Sequence, residues 1–254
     1  MFGGVVRYEL KEDVGVITLD DPEKRNALSR AMRVGLREAL TQFDADERAA
    51  VGIVTGSGST FCAGADLKEM SADGLAVPPR DYVPMIGHNL WLEKVLIAAV
   101  NGPALGGGFL IAQMADLAVA AEGASFGMPE ARWGRGAPWS VPLAQKIPER
   151  IWMELAVTGE AIGARRAYEI GLVNLVVPLA DLMSASIALA SKIARNAPLT
   201  VRATRRMVHL SAEMGRSAAW DVADRLFEPV YESADAQEGP RAFKERQQPV
   251  WTGS

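Results

Sequence analysis

The run Asn101-Gly102-Pro103-Ala104-Leu105-Gly106-Gly107-Gly108-Phe109-Leu110 sets three consecutive glycines at the start of a helical stretch, directly behind an apolar strand at 96–100. Glycine is unfavourable inside regular elements unless the backbone must come close to something. A glycine turn at a helix N-terminus aims free amide N–H groups and the positive end of the helix dipole at whatever lies in front of it. That suits negative charge, either a phosphate or an oxyanion. The spacing matches neither the G-x-G-x-x-G of dinucleotide folds nor the G-x-x-x-x-G-K-[ST] phosphate loop, which leaves the oxyanion. Close packing of a helix on a strand would ask for the same glycines.

A second stretch, Ser59-Thr60-Phe61-Cys62-Ala63-Gly64-Ala65-Asp66-Leu67-Lys68-Glu69-Met70, follows another apolar strand at 51–55 and again passes through small residues into a helical start. If the two strands are neighbours in one sheet, the amides of Ala65 and Gly107 converge on a single oxygen. Each such donor is worth roughly 3 kcal/mol in a transition state that places charge there. A pair of this kind polarises a carbonyl.

The elements that must hold these turns follow from hydrophobic periodicity. Residues 5–19 read as a hairpin about Glu12-Asp13, and Ser29 as the N-cap of a helix over 30–43. Strand-then-helix alternation through the first two-thirds predicts an α/β fold, a partly parallel sheet covered by helices. Residues 73–84 form a loop bearing glycine and proline. Helical stretches at 141–147, 151–158 and 164–170 and a strand at 173–177 come next, then helices over 179–194, 198–213 and 216–233. The division expected is a core over 1–195 and a helical region over 196–254.

Four segments, in order, carry a resemblance. They are Asp21-Pro22-Glu23-Lys24-Arg25-Asn26-Ala27-Leu28, Phe61 through Lys68, Ala99 through Gly108, and Phe126-Gly127-Met128-Pro129-Glu130 followed by Leu155-Ala156-Val157-Thr158-Gly159-Glu160. The chain resembles the crotonase superfamily of enoyl-CoA hydratases and isomerases over about residues 5–253. The resemblance implies a ClpP/crotonase-like spiral of ββα units with a C-terminal helical trimerisation region, and a homotrimer or dimer of trimers. It implies an acyl-CoA thioester whose carbonyl oxygen is held by Ala65 and Gly107 while an enolate forms, with no cofactor beyond the coenzyme A of the substrate. Arg25 and Ala27, with Ala63, Asp66 and Leu67, would line the path of CoA, although Asn26 and Asp66 also read locally as turn or cap residues. Basic side chains of 241–246 would reach the CoA phosphates from a neighbouring subunit, unless they form a solvated face.

In the best-known members of that superfamily two glutamates handle water or protons, and they would fall at positions 110 and 130. Here Leu110 replaces the first, whereas Glu130 follows Pro129 as expected. A glycine whose amide helps hold the water, beyond Gly134, is Pro138, which has no N–H. Leu110, Pro129 and Gly134 would then shape a dry pocket around one base. That pattern resembles the double-bond isomerases of the superfamily. The first expectation is therefore a shift of a 3-enoyl-CoA to a 2-enoyl-CoA through Glu130, with enoyl-CoA hydration in fatty-acid β-oxidation as the alternative. A catalytically silent acyl-CoA-binding protein is the reading from another class. Without its motif Glu130 would be read as a surface or salt-bridged acid, and Trp133 and Trp139 either shape the acyl pocket or fill core.

Composition permits this without selecting it. A chain of 254 residues, 49% hydrophobic, can bury a sizeable core, and its formal charge of −4 argues against a nucleic-acid partner. One cysteine, Cys62, allows no intrachain disulfide, and two histidines, His88 and His209, make no clustered zinc set. Cys62 reads as a buried small side chain, and both histidines as structural or exposed. No apolar run approaches the ~20 residues that span a bilayer, so a cytoplasmic enzyme with no membrane partner is expected.

Overall fold

Strands whose successive side chains go to opposite faces need apolar cover on both, and the chain supplies it with helices from two parts of the sequence. β1 (Val6–Lys11) and β2 (Val14–Leu19) pair antiparallel about a turn in which Glu12 takes φ 55°. α1 (Arg30–Ala45) follows, capped by Ser29, whose Oγ accepts from Met32 N at 3.3 Å. β3 (Val51–Gly56), α2 (Leu67–Asp73), β4 (Val95–Val100), β5 (Ala104–Leu105), α3 (Gly107–Met114), β6 (Leu117–Ala121) and β7 (Ser125–Gly127) come next. α4 (Glu149–Thr158), β8 (Ala161–Gly163), α5 (Ala164–Glu169) and β9 (Leu175–Val177) precede the tail of α6 (Leu182–Ala194), α7 (Pro198–Ser211), α8 (Arg216–Glu232) and α9 (Asp235–Glu245). The computed structural model describes residues 1–74 and 77–254.

The larger sheet has the order β1-β2-β3-β4-β6-β9, parallel from β2 onward. Ile17, Val54, Leu96 and Ala98 face α1 and α3 in one core. The alternate residues Val16, Ile53, Ile97 and Val119 face the other way, onto Leu182 and Ala190 of α6. β4 is buried along its whole length, so it reads as a continuous apolar run. The condition that the two site-bearing strands be neighbours is met, for β3 pairs β4 with Val54 opposite Ala98.

Several expectations change in detail. A second sheet, β5-β7-β8, was not anticipated, because strands of two or three residues carry no readable period. The helix expected at 141–147 is a 3₁₀ segment, Pro138–Gln145, since Pro142 cannot donate to an α-helical ladder. The tail ends in a further helix, α9, that the three expected stretches omit. Residues 179–181 form a separate 3₁₀ turn before α6. The loop expected over 73–84 includes Leu75 and Ala76, which lie outside the described residues. Among the described residues no helix is long and apolar enough to cross a membrane.

Candidate active site

Asn26 organises the first turn. It is fully buried with φ 54°, and its Nδ2 donates to Thr60 O at 2.7 Å, Ser57 O at 2.9 Å and Phe61 O at 3.2 Å, while its Oδ1 accepts from Asp21 N at 2.9 Å. The residues around it clamp the Ala63–Ala65 backbone: Ala63 N donates to Arg25 O at 3.0 Å, and Leu28 N to Gly64 O at 2.7 Å. Asp66 then caps α2, accepting from Lys68 N and Glu69 N.

The second turn docks closely against the backbone of the first. Leu105 N donates to Cys62 O at 3.0 Å, and a Cβ on Gly64, whose φ is 90°, would stand 2.6 Å from Leu105 O and 3.5 Å from Gly107 N. A Cβ on Gly108 would stand 2.1 Å from Cys62 O, so this glycine serves packing. Gly106 takes φ 53° and ψ −120° as the N-cap of α3, which leaves Gly107 as the first helical residue with its N–H outside the helical ladder. Among the described residues no protein acceptor is bonded to the Ala65 or Gly107 N–H. The two amides thus stand on adjoining turns, one of them at the positive end of the α3 dipole.

Both turns open on a cavity of about 860 Å³ lined mainly by apolar side chains. Glu130 is the one carboxylate lining it among the described residues. It sits in the 3₁₀ turn Pro129–Trp133, which Gly134 ends at φ 62°. Its Oε1 would lie 3.1 Å from a Cβ on Gly106, so the carboxylate rests directly beside the glycine turn. Trp139 Nε1 donates to the same Oε1 at 3.1 Å, and Oε2 is enclosed without a hydrogen-bond partner among the described residues. Burial raises the Glu130 carboxyl above its usual range, partly offset by its own backbone N–H and by the Trp139 indole. Trp139 is held in turn by Phe109, ring edge to face, with centroids 6.0 Å apart.

A buried carboxylate of raised pKa beside two free amides can exchange a proton with a group whose oxygen the amides hold. The match to known proteins decides which group. The profile of the family described as enoyl-CoA hydratase/isomerase matches residues 9–254.

The chain belongs to that family, within the crotonase superfamily. It is similar to the enoyl-CoA hydratase EchA19 of Mycobacterium tuberculosis, 37% identical over 92% of this chain and 91% of the relative. It is likewise similar to the 2,3-dehydroadipyl-CoA hydratase of Escherichia coli, 35% identical over 96% of each. Among solved structures, an enoyl-CoA hydratase from M. tuberculosis H37Rv superposes with a TM-score of 0.91 at 40% identity, over 98% of this chain and 99% of that one. Like its relatives, a member of this family is an enzyme, and the fold is the crotonase fold.

Against that family background the structure brings together Glu130, Ala63, Ala65, Leu67, Gly107, Leu110, Pro129 and Gly134 on one cavity. Arg25, Ala27 and Asp66 lie outside its lining. Arg25 acts here through its carbonyl and Asp66 through its cap, which leaves their contact with CoA a proposal. Arg241, expected to reach CoA phosphate, is paired with Glu238 and Glu245 on its own helix. Burial pushes the Cys62 thiol up to about 12, so it stays protonated. His88 is exposed, as read from the sequence, and lines the cavity.

Two site residues were missed or left open. Trp139 was assigned either to pocket or to core and proves to be the hydrogen-bond partner of Glu130. Gln113 was not singled out, yet it lines the cavity one turn beyond Leu110. Its signal was a polar residue three positions after Leu110 in an otherwise apolar helix.

Proposed function

We propose that this chain acts on an enoyl-CoA thioester through a single carboxylate, Glu130, opposite the amides of Ala65 and Gly107. What supports this is the position of Glu130, the one acidic side chain on the cavity among the described residues, resting against Gly106 of the second turn. The thioester oxygen accepts both N–H groups, so charge that develops on it meets donors already oriented. No cofactor takes part; coenzyme A is the handle of the substrate.

Hydration is the reaction that the relatives' names support, since similar proteins are named hydratases and a dehydratase. Glu130 takes a proton from water as the water oxygen bonds to C3 of a 2-enoyl thioester. The C2–C3 π electrons pass through C2 to the carbonyl oxygen as an enolate, and the proton returns from Glu130 to C2. The second reading, a double-bond shift, has its own observation: Leu110 and Pro138 stand on the cavity where a second carboxylate and an amide donor would hold the water. There Glu130 removes a C2 proton from a 3-enoyl thioester and returns it at C4.

The chain is further proposed to act in the cytoplasm and to assemble in threes or as a dimer of trimers. Trp220, Tyr231 and Phe243 of α8 and α9 lie exposed, apolar area of the kind that an oligomer covers. Light scattering tests the assembly. A panel of 2-enoyl- and 3-enoyl-CoA substrates with product analysis tests the reaction. Faster hydration of a 2-enoyl-CoA than conversion of any 3-enoyl-CoA is expected; the reverse order establishes the isomerase, and calorimetric CoA binding without turnover of any member establishes a silent binder.

A further inference from the structure

α3 carries one buried group that the enolate chemistry does not use. Gln113 is 3% exposed and lines the cavity beside Met114. Its Nε2 donates to the Trp139 carbonyl at 2.7 Å. That carbonyl needs an outside donor, because its partner three residues on in the 3₁₀ segment is Pro142, which has no N–H. The bond fixes the amide, so the opposite atom is the oxygen. Oε1 is enclosed and has no donor among the described residues. Holding Trp139 therefore explains one half of the side chain and leaves the other half, a desolvated acceptor, without a partner.

We propose that Gln113 Oε1 receives a hydrogen bond from a hydroxyl carried on the distal part of the acyl group, making this an enzyme for hydroxylated enoyl-CoA thioesters. The inference rests on the reading that seats the thioester carbonyl on Ala65 and Gly107. Gln113 stands six residues beyond Gly107, about 9 Å along the helix at ~1.5 Å per residue. It meets the acyl chain past the reacting carbons. An acceptor oxygen recognises a donor, which a carboxylate or keto end lacks. An ammonium group would lose its hydration against Leu110, Met114 and Trp139 without a counter-charge on Gln113. A hydroxyl satisfies the oxygen with no charge to bury. Met114, unbranched and 8% exposed, is the neighbour that can move to admit it.

The test compares hexenoyl-CoA with its terminally hydroxylated counterpart, as the 2- or 3-enoyl isomer that the wild type consumes, in wild type and Gln113→Met. The wild type is expected to favour the hydroxylated substrate in kcat/KM by about tenfold or more, and Gln113→Met to bring that ratio to within about twofold of unity. Loss of the Trp139 bond in the variant lowers both substrates alike and leaves the ratio untouched. Calorimetry of wild type with hexanoyl-CoA and 6-hydroxyhexanoyl-CoA gives the same comparison without relying on the variant's folding. Equal wild-type affinities and rates for the two overturn the inference, as does a preference that survives in Gln113→Met or a common fall of both substrates with the ratio kept. Hexenoyl-CoA turnover without hydroxyl preference sinks this inference alone, whereas no turnover of any enoyl-CoA sinks the functional reading beneath it.

Discussion

At the scale of single residues the proposed chemistry rests on how Glu130 is surrounded. Its burial means that a base working at neutral pH loses activity on acidification at a midpoint above the ordinary glutamate value. The Trp139 indole opposes that shift by donating to Oε1. Trp139→Phe keeps an aromatic ring and removes the donor, so the acid limb of the kcat/KM profile should move to higher pH; a limb that stays in place would detach the indole from the base. In the proposed reading Leu110 and Pro138, both on the cavity, govern whether water is held there. Leu110→Glu with Pro138→Gly should raise the ratio of hydration to isomerisation relative to wild type, and neither change alone should suffice. Leu110→Glu by itself sets a second carboxylate near Glu130 without an amide to hold water, so like-charge coupling raises one pKa. Glu130 and the absence of a partner at Leu110 were legible in the sequence because motif context marks them. Trp139 was not, because a contact nine residues away across a 3₁₀ turn leaves no periodic trace.

At the scale of elements the two turns work because backbone meets backbone. Gly107→Pro removes the proposed donor at a position where the helix loses no bond, and should raise the activation free energy by about 3 kcal/mol. The substituent would also press on the Leu28 terminal methyl, 2.4 Å from a Cβ there, so a melting curve and the Leu28→Ala control accompany the rates. Unchanged rates in folded protein would remove Gly107 from the site. From sequence, Gly106→Ala promises the milder effect; its φ of 53° and the 3.1 Å from a Cβ to Glu130 Oε1 reverse that expectation. Strands β3 and β4 and the capped α1 were readable, since apolar runs and a serine cap are local signals. Gly107 as the proposed donor was readable too, but that Gly108 serves packing was not, because a Cβ there meets Cys62 O only in three dimensions.

At the scale of the molecule, Asp116 fastens the helical tail to the sheet that carries the site. Its Oδ2 accepts from Leu96 N and Arg205 Nε, each at 2.8 Å, and Oδ1 lies 2.7 Å from His209 Nε2. Burial would raise this carboxyl, but His209, Arg205 and the Leu96 amide outweigh it and hold it below the usual 3.8. A carboxylate of lowered folded pKa stabilises fully above its unfolded value, and the stabilisation is lost as pH falls through the folded one. Asp116→Asn should destabilise by about 3 kcal/mol at neutral pH, because Arg205 is left buried without its counter-charge. The difference from wild type should shrink in acid below pH 3.8. Denaturant melts at the two pH values check this; a constant difference would assign the loss to packing. The contacts of Asp116 with Arg205 and His209 span about ninety residues, a separation at which no sequence period points from one to the other.

The most direct measurement is Glu130→Gln assayed on the enoyl-CoA that wild type converts fastest, with acyl-CoA affinity measured by calorimetry on the same preparation. The amide keeps the shape and the Trp139 contact but cannot exchange the proton. A fall in kcat of about 10²-fold or more, with Kd for the acyl-CoA within a few-fold of wild type, is the predicted result. Weakened binding with kcat unchanged would contradict it and make Glu130 a ligand contact instead of the base.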